Sequence, residues 1–94
     1  MEVINKFPTY RYDYLDTNIA LFHVNKGEGL SKHDHTYSHM TMCCSGKIAV
    51  RKENVYVEMD QNHVPVLLKE NEWHEIEALE DGTVFVNVFA EGKY

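Results

Sequence analysis

The sequence has little of what builds a helix, a membrane span or a disulfide scaffold. No apolar run approaches the ~18 residues that a membrane-spanning helix needs. Nowhere do apolar residues recur with a helical period between caps. Cysteine is confined to Cys43 and Cys44. A disulfide between sequence neighbours is strained, so both are expected as free thiols, which fits a reducing cytoplasm. Basic residues are outnumbered, nine Lys and Arg against fifteen Asp and Glu, for a net charge of −6. Nucleic acids and anionic membranes reward basic patches, so neither is an expected partner. The opening MEVINKFPTY has no basic region followed by an apolar one, so no secretory signal is expected. There is no Ser-His-Asp set, no Gly-rich phosphate loop and no Cys-x-x-Cys pair.

What is present is short, alternating and rich in turns. The length of 94 residues predicts one domain over 1–94, and 44% hydrophobic residues predict a folded one. TYRYDYL at 9–15 alternates, with Tyr10, Tyr12 and Tyr14 on one face, as a strand does. Asp16-Thr17-Asn18 reads as a turn. Further strands are expected over 19–24, 39–45, 48–50, 55–59, 64–68, 75–79 and 83–90. Pro65 suggests an edge or a strand start. Asp81-Gly82 is a hairpin signal. Many short strands and no helix predict an all-β barrel or sandwich. A core of this size is thin, so a metal or a second copy would help it.

The densest chemistry lies in GEGLSKHDHTYSHMTMCCSG, residues 27–46, which holds three of the six histidines. Residues two apart on a strand share a face, so His33 and His35 are expected to point together, and His39 can rejoin them. Converging imidazoles make a transition-metal site. A histidine-rich loop without a ligand is the bland alternative. His23 lies in an apolar run without a companion and is expected to be structural or exposed.

These residues resemble the first motif of the cupin superfamily. Gly27, five residues, His33, one residue, His35, three residues, His39, six residues and Gly46 follow its spacing, with His39 where the family usually has Glu. The second motif is similar mainly at His74. There His63, Lys69, Asn71 and Ala78 stand in place of Gly, Pro, Gly and Asn. The spacing of 16 residues between the motifs is that of small microbial cupins, and the likeness runs from about 19 to 90. The resemblance implies a single-domain double-stranded β-helix, or jelly-roll barrel, with 1–18 as lead-in.

It also implies His33, His35, His39 and His74 as ligands of one divalent transition metal per chain: Fe, Ni, Zn, Cu or Mn. Four neutral imidazoles leave the full +2 on such an ion, making it a stronger Lewis acid than a site with Glu. Release is expected below about pH 6, where imidazole protonates. Thr41 and Cys43 share the inward parity and either line a substrate pocket or fill the core. Tyr37 either caps the mouth or lies on the surface. His63 is expected on the surface, and the face of Asn87 is left open by the pattern. The implied function is a small-molecule metalloenzyme of oxygenase, isomerase or lyase type. The alternative is a non-enzymatic cupin that binds a small ligand or metal as a sensor. Met40, Met42 and Cys44 fall on the face opposite the ligands, an apolar stripe that suggests a homodimer.

Overall fold

The computed structural model describes residues 2–35 and 38–90, and among these there is no helix. Ten strands form: β1 (Ile4–Asn5), β2 (Tyr10–Tyr14), β3 (Thr17–Val24), β4 (Glu28–His33), β5 (His39–Ser45), β6 (Ile48–Lys52), β7 (Val55–Met59), β8 (Val66–Leu68), β9 (His74–Ala78) and β10 (Thr83–Ala90). They make two five-stranded sheets, ordered β1-β4-β9-β6-β7 and β2-β3-β10-β5-β8. Every pairing is antiparallel except β1 with β4. The expected all-β architecture is therefore present.

Alternation decides what fills the space between the sheets. Phe22 and Phe85 stack at 4.7 Å at the centre, both fully buried. Ile48, Val50, Met59, Leu68 and Ile76 surround them. Burial of such side chains is the main favourable term for a chain this short. The outer face of the first sheet is ionic instead. Arg51 reaches Glu75 at 3.1 Å and Glu77 at 2.9 Å across β6 and β9.

Several local expectations need correction. The turn after β2 is Leu15-Asp16, not 16–18. Tyr14 pairs directly with Thr17, which demands a two-residue hairpin loop, and Leu15 takes φ 54° to make it. Asp81-Gly82 does not close a hairpin. Both edges of β9 are already taken by β4 and β6, so the turn carries the chain into the other sheet. The lead-in supplies an edge strand to each sheet, β1 to the first and β2 to the second. Residues 28–33 form a strand of the first sheet, and His39 opens β5 in the second. His33, His35 and His39 therefore do not lie along one strand. Pro65 sits just before β8, an edge strand, where its missing N–H costs nothing.

Gly46 turns β5 into β6 with φ 76°. A Cβ there would collide with Thr83 Oγ1 and lie 3.0 Å from Thr83 Cα. Thr83 cannot step aside easily, because its hydroxyl donates to the Glu80 carbonyl at 2.7 Å. Gly27 also has positive φ, but nothing lies within 4 Å of its Cβ direction. Gly46→Ala should therefore cost both backbone strain and a clash, about 2 kcal/mol or more, and Gly27→Ala about 1 kcal/mol. Urea unfolding midpoints measure this; equal losses would show that the Thr83 contact has no weight.

Candidate metal centre

Four histidines from four segments converge between the sheets. His33 ends β4 and His74 begins β9, both in the first sheet. His39 begins β5 in the second sheet, and His35 lies on the connection between them. The approach of His33 depends on an irregularity in β4. Leu30 pairs with Ile76, so regular pairing would set Lys32 opposite His74. One extra residue in β4 sets His33 there instead. Such a bulge re-aims a side chain, here from the outer face to the inner. The turn before β9 carries Asn71 at φ 60°, a left-handed conformation that Asn tolerates better than most residues.

Ring centres of His33 and His74 are 4.4 Å apart, His35 and His74 4.8 Å, His35 and His39 5.0 Å, and His39 and His74 5.3 Å. Ring nitrogens of His33, His35 and His74 lie within 4.8 Å of one another. His39 stands against His35 and His74 and closes the group. His74 is fully buried, His39 nearly so, and His33 and His35 are half-buried.

Hydrogen bonds orient these rings. A carbonyl oxygen can only accept, so His33 Nδ1–H donates to the Ser31 carbonyl at 2.6 Å. His74 Nδ1–H likewise donates to the Glu72 carbonyl at 3.1 Å. Each Nε2 is then left as a lone pair. His74 Nε2 is buried with no hydrogen-bond partner, a cost that needs an explanation. His39 is fixed by a longer chain. The Thr41 hydroxyl donates to Asn87 Oδ1 at 2.7 Å, so toward His39 Nδ1 at 3.3 Å its oxygen accepts. His39 therefore carries its proton on Nδ1, and its Nε2 is free to ligate.

Burial, then the neighbouring His74 and His35, lower the His39 pKa from 6.5 to about 3. Burial and the neighbouring His33 lower that of His74 to about 4. His39 and His74 are thus neutral nitrogen donors, and the His74 Nε2 lone pair is buried and unshared. A borderline transition ion fits that donor set, whereas Mg²⁺ and Ca²⁺ want oxygen.

The remaining candidates are placed as follows. Thr41 is fully buried and serves His39 through the bond above. Cys43 lies in the hydrophobic core, its thiol donating to the Ser45 carbonyl. Cys43 and Cys44 are both free thiols. Tyr37 lies outside the described residues. His23 and His63 are exposed and stand apart from the group. Asn87 was not among the site candidates; the only sequence signal was one amide inside the apolar run TVFVNVFA. Trp73 lies under Lys32, whose Nζ is 4.4 Å from the ring centre. Glu72 Oε1 lies 3.4 Å from Lys52 Nζ, an ion pair without hydrogen-bond geometry. One cleft of about 280 Å³ reaches His33 beneath the Asn5–Pro8 segment, and another of about 380 Å³ reaches His39.

The low pKa values fix a pH dependence. Unfolded, both histidines take a proton near 6.5; folded, only near 3 and 4. Between these values the unfolded chain binds more protons, so stability falls as pH drops from about 6.5 toward 4. The metal-free protein should lose denaturant midpoint steadily from pH 7 to 5. A double His39→Gln, His74→Gln variant should lose less over that range. A flat wild-type midpoint would mean the rings are not held neutral.

No protein-family model matches the chain, and no curated protein matches it. Solved structures do. KdgF from Halomonas sp. superposes with a TM-score of 0.77 at 14% identity, covering 86% of this chain and 74% of that one. A cupin-2 domain containing protein from Shewanella frigidimarina gives 0.71 at 9%, covering 92% and 84%. A cupin domain from Bordetella pertussis gives 0.68 at 17%, covering 98% and 99%. The chain thus has the cupin fold, a small double-stranded β-helix whose two sheets enclose a cluster of histidines.

Proposed function

We propose that this chain is a metal-binding cupin whose His33, His35, His39 and His74 hold one divalent transition ion. Fe, Ni, Zn, Cu and Mn are the candidates. The single observation that carries this reading is the buried, unpartnered Nε2 of His74 among three other imidazoles with no acid in the group. A buried lone pair facing other lone pairs is costly until a cation takes them up. A bound ion would supply Lewis acidity toward a small molecule, undiminished by any carboxylate ligand. The chain's own part is to hold each ring's tautomer, to keep protons off the nitrogens and to admit a ligand by the clefts at His33 and His39. Small-molecule metalloenzyme activity of oxygenase, isomerase or lyase type is the reading favoured by an ion with open positions. A sensor that binds a ligand without turning it over is the second reading. We place the protein in the cytoplasm on its free thiols. No helix among the described residues is long and apolar enough to cross a membrane.

Elemental analysis of untagged protein should find about one transition ion per chain, and His74→Ala should lose it. A wild type that stays empty after dialysis against each candidate metal would end the proposal. The release pH also shifts from the sequence-based expectation. His39 and His74 resist protonation to about 3 and 4, so these two nitrogens should keep the ion at pH 5.5 and yield it only below about pH 5. Metal content after gel filtration across pH 7 to 4 reads this, and full release already at pH 6 would contradict it. Thr41→Val or Asn87→Ala should weaken metal affinity roughly tenfold by freeing the His39 ring, as loss of such supporting bonds does. Competition with a chelator measures it, and unchanged affinity in both variants would remove His39 from the ligand set.

A further inference from the structure

We propose that the cleft beneath the Asn5–Pro8 segment takes a small organic acid, whose carboxylate is held by Arg11 and whose far end reaches His33. The strand register turns Arg11 toward this cleft. Arg11 pairs with Ala20, which is fully buried, whereas Tyr10 and Tyr12 pair with the half-buried Leu21 and Ile19. Side chains directly opposite each other on paired strands share a face. Arg11 therefore lies on the inner side of the second sheet, at its edge. Asp13, the next inner position of β2, pairs with Asn18 and does not line the cleft.

The cleft has a fixed roof because the lead-in is pinned on both sides of it. Asn5 Oδ1 accepts from the Ser31 N–H at 3.0 Å, and the Lys6 N–H donates to the Gly29 carbonyl at 2.8 Å, both on β4 of the first sheet. The Thr9 N–H donates to the Leu21 carbonyl at 2.8 Å, and Thr9 Oγ1 accepts from the His23 N–H at 3.0 Å, both on β3 of the second. Only Phe7 and Pro8 lie between these anchors, and they carry the chain from one sheet to the other. A site held in place this way binds without first being ordered. Its volume of about 280 Å³ is at the small end for a small-molecule site.

Charge says which small molecule. The chain has nine basic and fifteen acidic residues, yet the charged residues lining this cleft are Lys6 and Arg11, with no acid. The cleft at His39 has Asp16 in its wall, and those at Glu58 and Glu75 also carry acids. In a chain of net charge −6, such a mouth is where an anion can approach. Lys6 already faces Glu28 at 3.7 Å, so Arg11 is the main anchor and Lys6 the weaker one. A guanidinium has five N–H donors; a carboxylate takes two of them in a fork and leaves the rest for the protein. Phe7, 91% exposed, and Leu30 supply apolar wall, which fits a carbon body better than a bare inorganic ion. The far end of the ligand rests on the metal reading. There an anion would meet a dication that no protein carboxylate offsets.

Calorimetric titration of untagged, metal-loaded protein with acetate, succinate and benzoate, and with the matching amides at fixed ionic strength, tests this. At least one acid should bind, with its amide about tenfold weaker or more. Arg11→Gln should weaken that acid about tenfold to a hundredfold, Lys6→Gln less, and Asp13→Asn not at all. Phenylglyoxal labelling of the wild type keeps the test independent of whether a variant folds. Arg11 and Arg51 are the two arginines of the chain, and the bound acid should protect Arg11 several-fold and leave Arg51 as it was. Metal content is measured on the same samples. One ion per chain with no acid bound overturns this inference and leaves the metal reading standing. So does an acid that binds Arg11→Gln as tightly as wild type, or that leaves Arg11 unprotected. Protein that takes up no ion ends the metal reading instead, and Arg11 protection then still decides the anionic end.

Discussion

The centre of this fold turns on holding four imidazoles together between two sheets, His39 and His74 buried and His33 and His35 half-buried. Water would solvate and protonate such rings near their ordinary pKa. Here burial and mutual repulsion hold His39 and His74 neutral far below it. The backbone then chooses the tautomer. Carbonyls of Ser31 and Glu72 claim the Nδ1 protons of His33 and His74 and leave the Nε2 lone pairs facing inward. This desolvation cost, with His74 Nε2 left unpartnered, is what supports the proposal of a cation at the centre.

Much of the architecture was legible because it rests on period-two alternation. The final strand, 83–90, and the strand at 55–59 have the bounds their patterns imply. His33, His35 and His39 stood out by their spacing, whereas His74 was legible only through the cupin resemblance. Parity alone misleads here, because Leu30 faces inward with Ile76, and counting on from it would send His33 outward. The bulge that corrects this leaves no mark in the sequence. Asn87 was illegible for a different reason. An amide in an apolar strand declares a buried hydrogen bond, but its partner Thr41 is 46 residues away on another strand. Asp81-Gly82 failed as a hairpin because local turn chemistry is blind to whether a neighbouring edge is vacant.

The two sheets divide their labour along the same lines. Their inner faces supply the core and the histidines. The first sheet meets solvent with ion pairs, while the second presents tyrosine, methionine and branched aliphatic side chains. Surface ion pairs of this kind contribute little to stability, on the order of 0–1 kcal/mol each, so their role is to keep that face wet. The contrast links the lead-in to the rest of the fold, because β2 widens the apolar face by one row of tyrosines.

The most direct test of this account is a crystal structure of the metal-loaded protein with anomalous diffraction at the metal's absorption edge. The account predicts one peak per chain between the sheets, with ring nitrogens of His33, His35, His39 and His74 within about 2.0–2.2 Å. For His33, His39 and His74 the ligating atom should be Nε2, with each Nδ1 still on its oxygen acceptor. A peak elsewhere, at His63 or on an acidic surface cluster, would contradict it. So would a peak between the sheets that His74 does not ligate.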